Sequence, residues 1–171
     1  LIISDGVFSK GKSLISNNYS EPIYNNTIAV RASISKESLD NINEENISLF
    51  LGSEFHYVVY PLNNDQNFNF IGILKKQLNL DQQKNHNLCN ESTFIESIKH
   101  KLSEKIPSKF FNSLEDIKLF PVFVSNNPFN PPKNIFLVGD AFFAFSPSFA
   151  QGGSQSIEGA NQLHETIINK K

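Results

Sequence analysis

The spacing of apolar and polar residues changes period several times along this chain, and each change predicts an element. Leu1, Ile2 and Ile3 form an apolar run that stops at Ser4, Asp5 and Gly6, a turn signal, so the chain starts with a strand. Residues 10–26 are polar, are broken by Pro22, and read as loop. Ile28, Val30, Ala32 and Ile34 then alternate with Ala29, Arg31 and Ser33, the period of a half-buried strand. Residues 40–45 form a polar connection. Residues 55–62 read as a second strand, with Pro61 near its end, where a missing ladder donor matters least. Turn chemistry at 63–67 separates it from a third strand at 68–74, and the pair reads as an antiparallel hairpin.

The polar stretch at 75–91 predicts little. Thr93 and Glu96 have the spacing of a capping box, and Phe94, Ile98, Leu102 and Ile106 recur at four-residue steps on one helical face that Pro107 closes. A further strand is expected at 119–124, then a loop at 126–133 holding Pro128, Pro131 and Pro132. Ile135, Phe136, Leu137 and Val138 make a short buried strand that ends at Gly139 and Asp140. The glycine-rich turn around residues 151–154 opens a last helix, with Ile157, Ala160, Leu163, Ile167 and Ile168 as its expected buried stripe. Gly159 inside it costs about 1 kcal/mol relative to alanine. The fold class is therefore α+β: a mostly antiparallel sheet in the middle, flanked by two end segments that look like parts of a different, nucleotide-binding layer.

Composition narrows the function. A length of 171 residues is enough for a real core. The net charge of −2 and a single arginine, Arg31, leave no basic stripe for nucleic acid. One cysteine, Cys89, excludes an internal disulfide and fits a reducing, cytoplasmic compartment, with peripheral membrane attachment left open. The four histidines (His56, His86, His100 and His164) lack metal-ligand spacing, so no metal is expected. No apolar run approaches the roughly 20 residues that cross a bilayer, and no stretch reads as a signal peptide. Residue 1 is Leu and no methionine occurs, which leads us to expect the carboxyl-terminal part of a longer architecture.

The chemistry concentrates after the strand at 135–138. A carboxylate at a strand end, Asp140, followed by the free N–H groups of a helix start, is where open α/β sheets bind ligands. Gly139 lets a ligand approach the backbone, and Pro147 stiffens the loop. The N–H groups of Gln151, Gly152, Gly153 and Ser154 carry partial positive charge. Elsewhere, Arg31 is suited to a substrate carboxylate or else is structural. His56 and Tyr60 face one side of their strand and either contact substrate or are structural. Phe142, Phe143, Phe145 and Phe149 either wall an apolar pocket or are core.

Gly139-Asp140-Ala141, Pro147, Gln151-Gly152 and Ile157-Glu158 together resemble the flavin-binding signature of the FAD-dependent aromatic hydroxylases, the single-component flavoprotein monooxygenases that include salicylate-type and ubiquinone-pathway enzymes. Asp5-Gly6 with Ser9 resembles the same family's second fingerprint, near flavin and nicotinamide. The resemblance implies that residues 1–14 and 130–171 are a remnant of an FAD-binding domain, and 15–129 a substrate-domain sheet with one helix. It implies FAD, held here by its flavin half through Asp140, Gly139, Pro147 and residues 151–154, with Asp5 and Gly6 nearby. NAD(P)H would be the co-substrate and a small phenolic compound the substrate.

The chain also departs from that pattern. Phe143 stands where the family has histidine, Ala150 where it has glycine, Gly159 where it has aspartate, and Lys12 where it has arginine. The glycines at 6, 11, 52, 72, 139, 152, 153 and 159 never form G-x-G-x-x-G, the turn that holds the ADP half of FAD. The expectation is therefore a carboxyl-terminal part that is inactive without a separately encoded amino-terminal half. An inactive remnant or interaction module, and a flavin-dependent isoprenoid reductase of the same fold, are the alternatives.

Overall fold

The computed structural model describes residues 1–16, 19–35, 45–62, 67–125 and 129–169, and the chain divides into two units, residues 1–25 with 122–171 and residues 26–121. Most of the expected turn at 63–67 and of the connection at 40–45 lies outside the described residues.

The first unit is organised by one parallel pairing. Strand β1 (Ile2–Ile3) lies beside β7 (Phe136–Leu137), with Ile2 opposite Phe136 and Ile3 opposite Leu137. The Phe136 and Val138 amides donate to the carbonyls of Leu1 and Ile3 at 2.9 and 3.0 Å. Ile3, Leu137 and Ala141 form a small core, joined by Ile15, Phe129 and Ile135. A short helix, α1 (Lys10–Ile15), follows β1 where the polar composition reads as loop. Its signal is Ser9, whose hydroxyl caps the Lys12 amide at 3.1 Å. Helix α5 (Gly152–Asn169) begins where the glycine-rich turn predicts.

The expected buried stripe of α5 is not buried. Ile157, Ile167 and Ile168 are 73%, 52% and 50% exposed, Ala160 is exposed, and only Leu163 is half-buried. The 3.6-residue period correctly indicates an amphipathic helix, but period alone does not supply the layer that covers it. Among the described residues the apolar face has no such cover.

The second unit is a five-stranded sheet in the order β3-β4-β5-β2-β6. Strand β2 (Ile23–Ser35) pairs antiparallel with β5 (Asn67–Lys75), and β5 with β4 (Phe55–Pro61), the expected hairpin. Strand β3 (Ser48–Gly52) adds an edge that the sequence pattern does not predict. Strand β6 (Leu114–Val124) starts five residues before the apolar run expected at 119–124, because polar residues 115, 116 and 118 face outward.

Ile28, Val30, Ile34, Val59, Phe68, Phe70 and Leu74 fill one face of the sheet and are almost wholly buried. Helix α2 (Leu80–Lys84), α3 (Ser92–Ser103) and α4 (Ser108–Asn112) come between β5 and β6. From α4, Phe110 sets its ring 5.7 Å from Tyr57 and 6.0 Å from Phe70. The expected stripe on α3 holds: Ile98 and Leu102 are buried, Ile106 is buried just beyond the helix, and Phe94 is half-buried. The capping box at Thr93 and Glu96 does not form. Glu91 occupies the cap position without a side-chain bond, which places Thr93 inside the first turn. A capping box forms instead at α2, between Asn79 and Gln82. Pro107 caps α4, and α3 stops at Ser103.

Gly11 tests the packing of the first unit. A Cβ there would lie 2.6 Å from Ile3 Cγ2. We expect Gly11→Ala to destabilise by about 1–2 kcal/mol in urea melts, because overpacking outweighs the gain in helix propensity. Ile3→Ala in the same chain should remove most of that penalty, and strict additivity of the two changes would contradict the contact.

Candidate functional site

The candidate flavin residues belong to the first unit. Gly139–Ala141 is a 3₁₀ turn directly after β7, which makes the strand deliver Asp140 at its carboxyl end. Gly139 has φ +62°, and a Cβ would come 3.2 Å from Ser156 Oγ, one turn into α5, so the turn and the helix are in close approach. Asp140 is exposed, and its carboxylate has no hydrogen-bond partner among the described residues. At the start of α5 the Gln155 amide donates to the Gln151 carbonyl at 2.9 Å. The amides of Gly152, Gly153 and Ser154 have no such partner among the described residues, as expected of a helix N-terminus. A carboxylate acceptor and a row of donors thus stand on two elements that touch.

Pro147 opens a second 3₁₀ turn, Pro147–Phe149, which ends in the left-handed residue Ala150 at φ 51°. That left-handed backbone favours glycine, so Ala150 is strained there. Phe142 and Phe145 are 46% and 45% exposed, so they are not core. With Phe136, Phe143 and Leu163 they line a groove of about 820 Å³ between the 136–145 segment and α5.

Asp5 and Gly6 follow β1 at its carboxyl end, the same end of the parallel pair at which Gly139 and Asp140 follow β7. Gly6 has φ +85°, the turn conformation its residue type predicts. The Asp5 carboxylate accepts from the Gly11 amide at 2.9 Å. The Ser9 hydroxyl and that amide hold its pKa below the ordinary carboxylate value. Asp5 therefore caps α1 in this structure. Lys12, seven residues on, is only 4% exposed, and burial lowers its pKa while Asp5 partly offsets the effect.

Arg31, His56 and Tyr60 belong to the second unit. The register puts all three on the sheet face opposite Phe68 and Phe70: Arg31 opposite Ile71, His56 opposite Ile73, and Tyr60 opposite Asn69. Arg31 is exposed and stands 5.6 Å above the Phe120 ring. Asn69 Nδ2 donates to Tyr60 Oη at 2.6 Å. Residue patterns alone miss Asn69 and Ser156; only the hairpin register reveals the first, and only the packed turn the second. Cys89 is buried, and burial raises its pKa, which leaves it an unreactive thiol. No group of three or more metal-ligating side chains occurs among the described residues.

No family model matches this chain, and no curated protein sequence matches it. Solved structures do. A 2,6-dihydroxypyridine-3-hydroxylase from Arthrobacter nicotinovorans matches 99% of the chain with a TM-score of 0.79 at 16% identity. A salicylate hydroxylase matches 98% with a TM-score of 0.70 at 18% identity. Klebsiella pneumoniae HpxO, solved with FAD and uric acid, matches 94% with a TM-score of 0.68 at 18% identity. The chain has the fold of the FAD-dependent aromatic hydroxylases. It spans 49%, 45% and 41% of these three structures' own lengths, so it corresponds to part of them. No helix among the described residues is long and apolar enough to cross a membrane.

The Asp5 cap gives a pH test. A depressed folded pKa means that the stabilisation is present above the unfolded value of about 3.9 and is lost as pH falls through the lower folded value. Asp5→Ala should cost about 1 kcal/mol at pH 7 and nothing once both forms are protonated. A penalty that persists unchanged in strong acid would contradict the cap.

Proposed function

We propose that this chain is the carboxyl-terminal part of an FAD- and NAD(P)H-dependent monooxygenase that hydroxylates a small aromatic, phenolic compound. The observation that carries the reading is the packing of the Asp140 turn against Ser156, one turn into α5, with the carboxylate and the three amides at the start of that helix unclaimed.

In this reading Asp140 accepts hydrogen bonds from the hydroxyls of the flavin's sugar-alcohol chain. Such a bond to a charged acceptor contributes about 1.5–3 kcal/mol. Gly139 leaves room for the ligand, and Pro147 holds the adjoining loop. The amides of residues 151–154 face the ring's developing negative charge and favour its reduced form. Asp5 and Gly6 shape the neighbouring end of β1. When bound, the flavin would supply hydride acceptance from the nicotinamide and transfer of one oxygen atom of O₂ to the ring, the other oxygen leaving as water. Arg31, His56 and Tyr60 would contact the substrate from the sheet.

The ADP half of the cofactor needs a glycine-rich turn that this sequence does not carry. We assign it to an amino-terminal portion that covers the first unit. The exposed residues Leu1, Ile2, Phe136, Ile157, Ile167 and Ile168 support that assignment, since parallel strands are found covered on both faces.

Flavin fluorescence quenching tests the reading. FMN and FAD should bind the 171-residue chain with affinities equal within about threefold, weaker than about 10 μM, because only the flavin half finds partners. Asp140→Ala should weaken both by about tenfold or more, the loss of one charge-assisted bond. Strong preference for FAD, or indifference to Asp140→Ala, would contradict it.

A further inference from the structure

The five-stranded sheet ends in β6 on one side and in β3 on the other, and the two edges are built differently. β6 carries Glu115, Asp116 and Lys118, Asp116 sits in left-handed backbone at φ 52°, and Pro121 has no N–H to offer. Charge, a local break in the extended backbone and a missing donor are the devices that keep an edge strand from pairing with another chain. The β3 edge has none of them: Ile47, Ser48, Leu49, Phe50, Leu51 and Gly52 include neither a charge nor a proline. Among the described residues β3 pairs with β4 alone, so alternate N–H and C=O groups of its backbone face outward.

The side chains on this edge are apolar on both faces of the sheet. Ile47, Leu49 and Leu51 are 72%, 55% and 78% exposed. Phe50 points to the other face from Leu49 and Leu51, stacks on Tyr57 at 4.4 Å and is still partly exposed. The ring cluster of the core, which runs from Phe70 and Phe110 through Tyr57, therefore reaches the edge through Phe50 and stops there without cover.

The order of residues says what the edge fits. From Ser48 to Gly52 the strand has the same pattern in both directions: small, Leu, Phe, Leu, small. An antiparallel copy of β3, related by a two-fold axis at Phe50, sets Leu49 against Leu51, Phe50 against Phe50 and Ser48 against Gly52. Apolar and aromatic pairs opposed in this way stabilise antiparallel strands. A strand that pairs with its own copy also brings its own charges together, and β3 has none to bring.

We propose that β3 is a homodimer contact, through which two copies of this chain join antiparallel into one continuous sheet. The pairing is isologous, so it closes at two copies, and the guarded β6 edges stop further growth. With about 200 Å² of surface for a large apolar residue, Ile47, Leu49, Phe50 and Leu51 expose about 500 Å² per copy, so the pair has about 1,000 Å² to cover, the lower limit of a specific interface. The dimer is accordingly weak, with a Kd of about 100 μM. It holds whether or not the chain binds flavin.

Sedimentation equilibrium of the full chain, from about 10 μM to about 1 mM, tests the proposal. The average mass should rise from one copy toward two and no further. Leu51→Lys, at a well-exposed side chain, should weaken association about tenfold or more with the far-UV circular dichroism unchanged. Ile157→Lys on the exposed face of α5 should leave association unchanged. Amide exchange of the unmutated chain keeps the test valid if a variant fails to fold: alternate amides of β3 should gain protection about threefold or more across the same range. A mass of one copy at every concentration would overturn the proposal, as would growth past two copies. Association that survives Leu51→Lys or is lost in Ile157→Lys would also overturn it, and so would β3 amides that exchange at a rate independent of concentration.

Discussion

Two residues of parallel pairing organise everything proposed for the flavin side of this protein. Leu1 and Asn134, 133 positions apart, are joined through the chain's first amino group, and from there Ile2 and Ile3 run alongside Phe136 and Leu137. That ladder fixes where β7 ends, and so where the Gly139–Ala141 turn projects Asp140. It also makes the small core of Ile3, Leu137 and Ala141, the surface on which α1 rests through Gly11. A parallel pair this short is weak on its own. It buries Ile3 and Leu137 on one side and leaves Ile2 and Phe136 exposed on the other.

The sheet of the second unit is built on different terms. Its strands are antiparallel, long and locally connected, and one face is filled by Phe68, Phe70, Ile28 and Leu74. Phe110 of α4 packs on that face. Strict alternation along each strand puts Arg31, His56, Tyr60 and Asn69 on the opposite face.

Much of this was legible in the residues. Ile28, Val30, Ala32 and Ile34 declare their strand by period alone, and the hairpin follows from turn residues between two aromatic-rich runs. The glycines at 152 and 153 mark the start of α5. Short elements were not legible: β3 has too few residues to show a period, and α1 is a helix because Asp5 and Ser9 cap it, not because its composition favours one. The α5 stripe shows the deeper limit of pattern reading, since Ile157 at a helical spacing announces an apolar face but says nothing about whether a partner covers it. At the candidate site, Asp140 and Gly139 were visible as a strand end, whereas Asn69 became a candidate only through its register opposite Tyr60.

The central claim is that β1 and β7 pair and that their pairing holds the Asp140 turn. Amide hydrogen exchange tests it most directly. The account predicts slow exchange at Phe136 and Val138, and at Phe142, whose amide donates to the Gly139 carbonyl at 2.9 Å. It also predicts that Ile3→Ala lowers protection at all three by a common factor and leaves Ile71 in the second unit unchanged. Free exchange at Phe136 and Val138 in the unmutated chain, with Ile71 still protected, would contradict it.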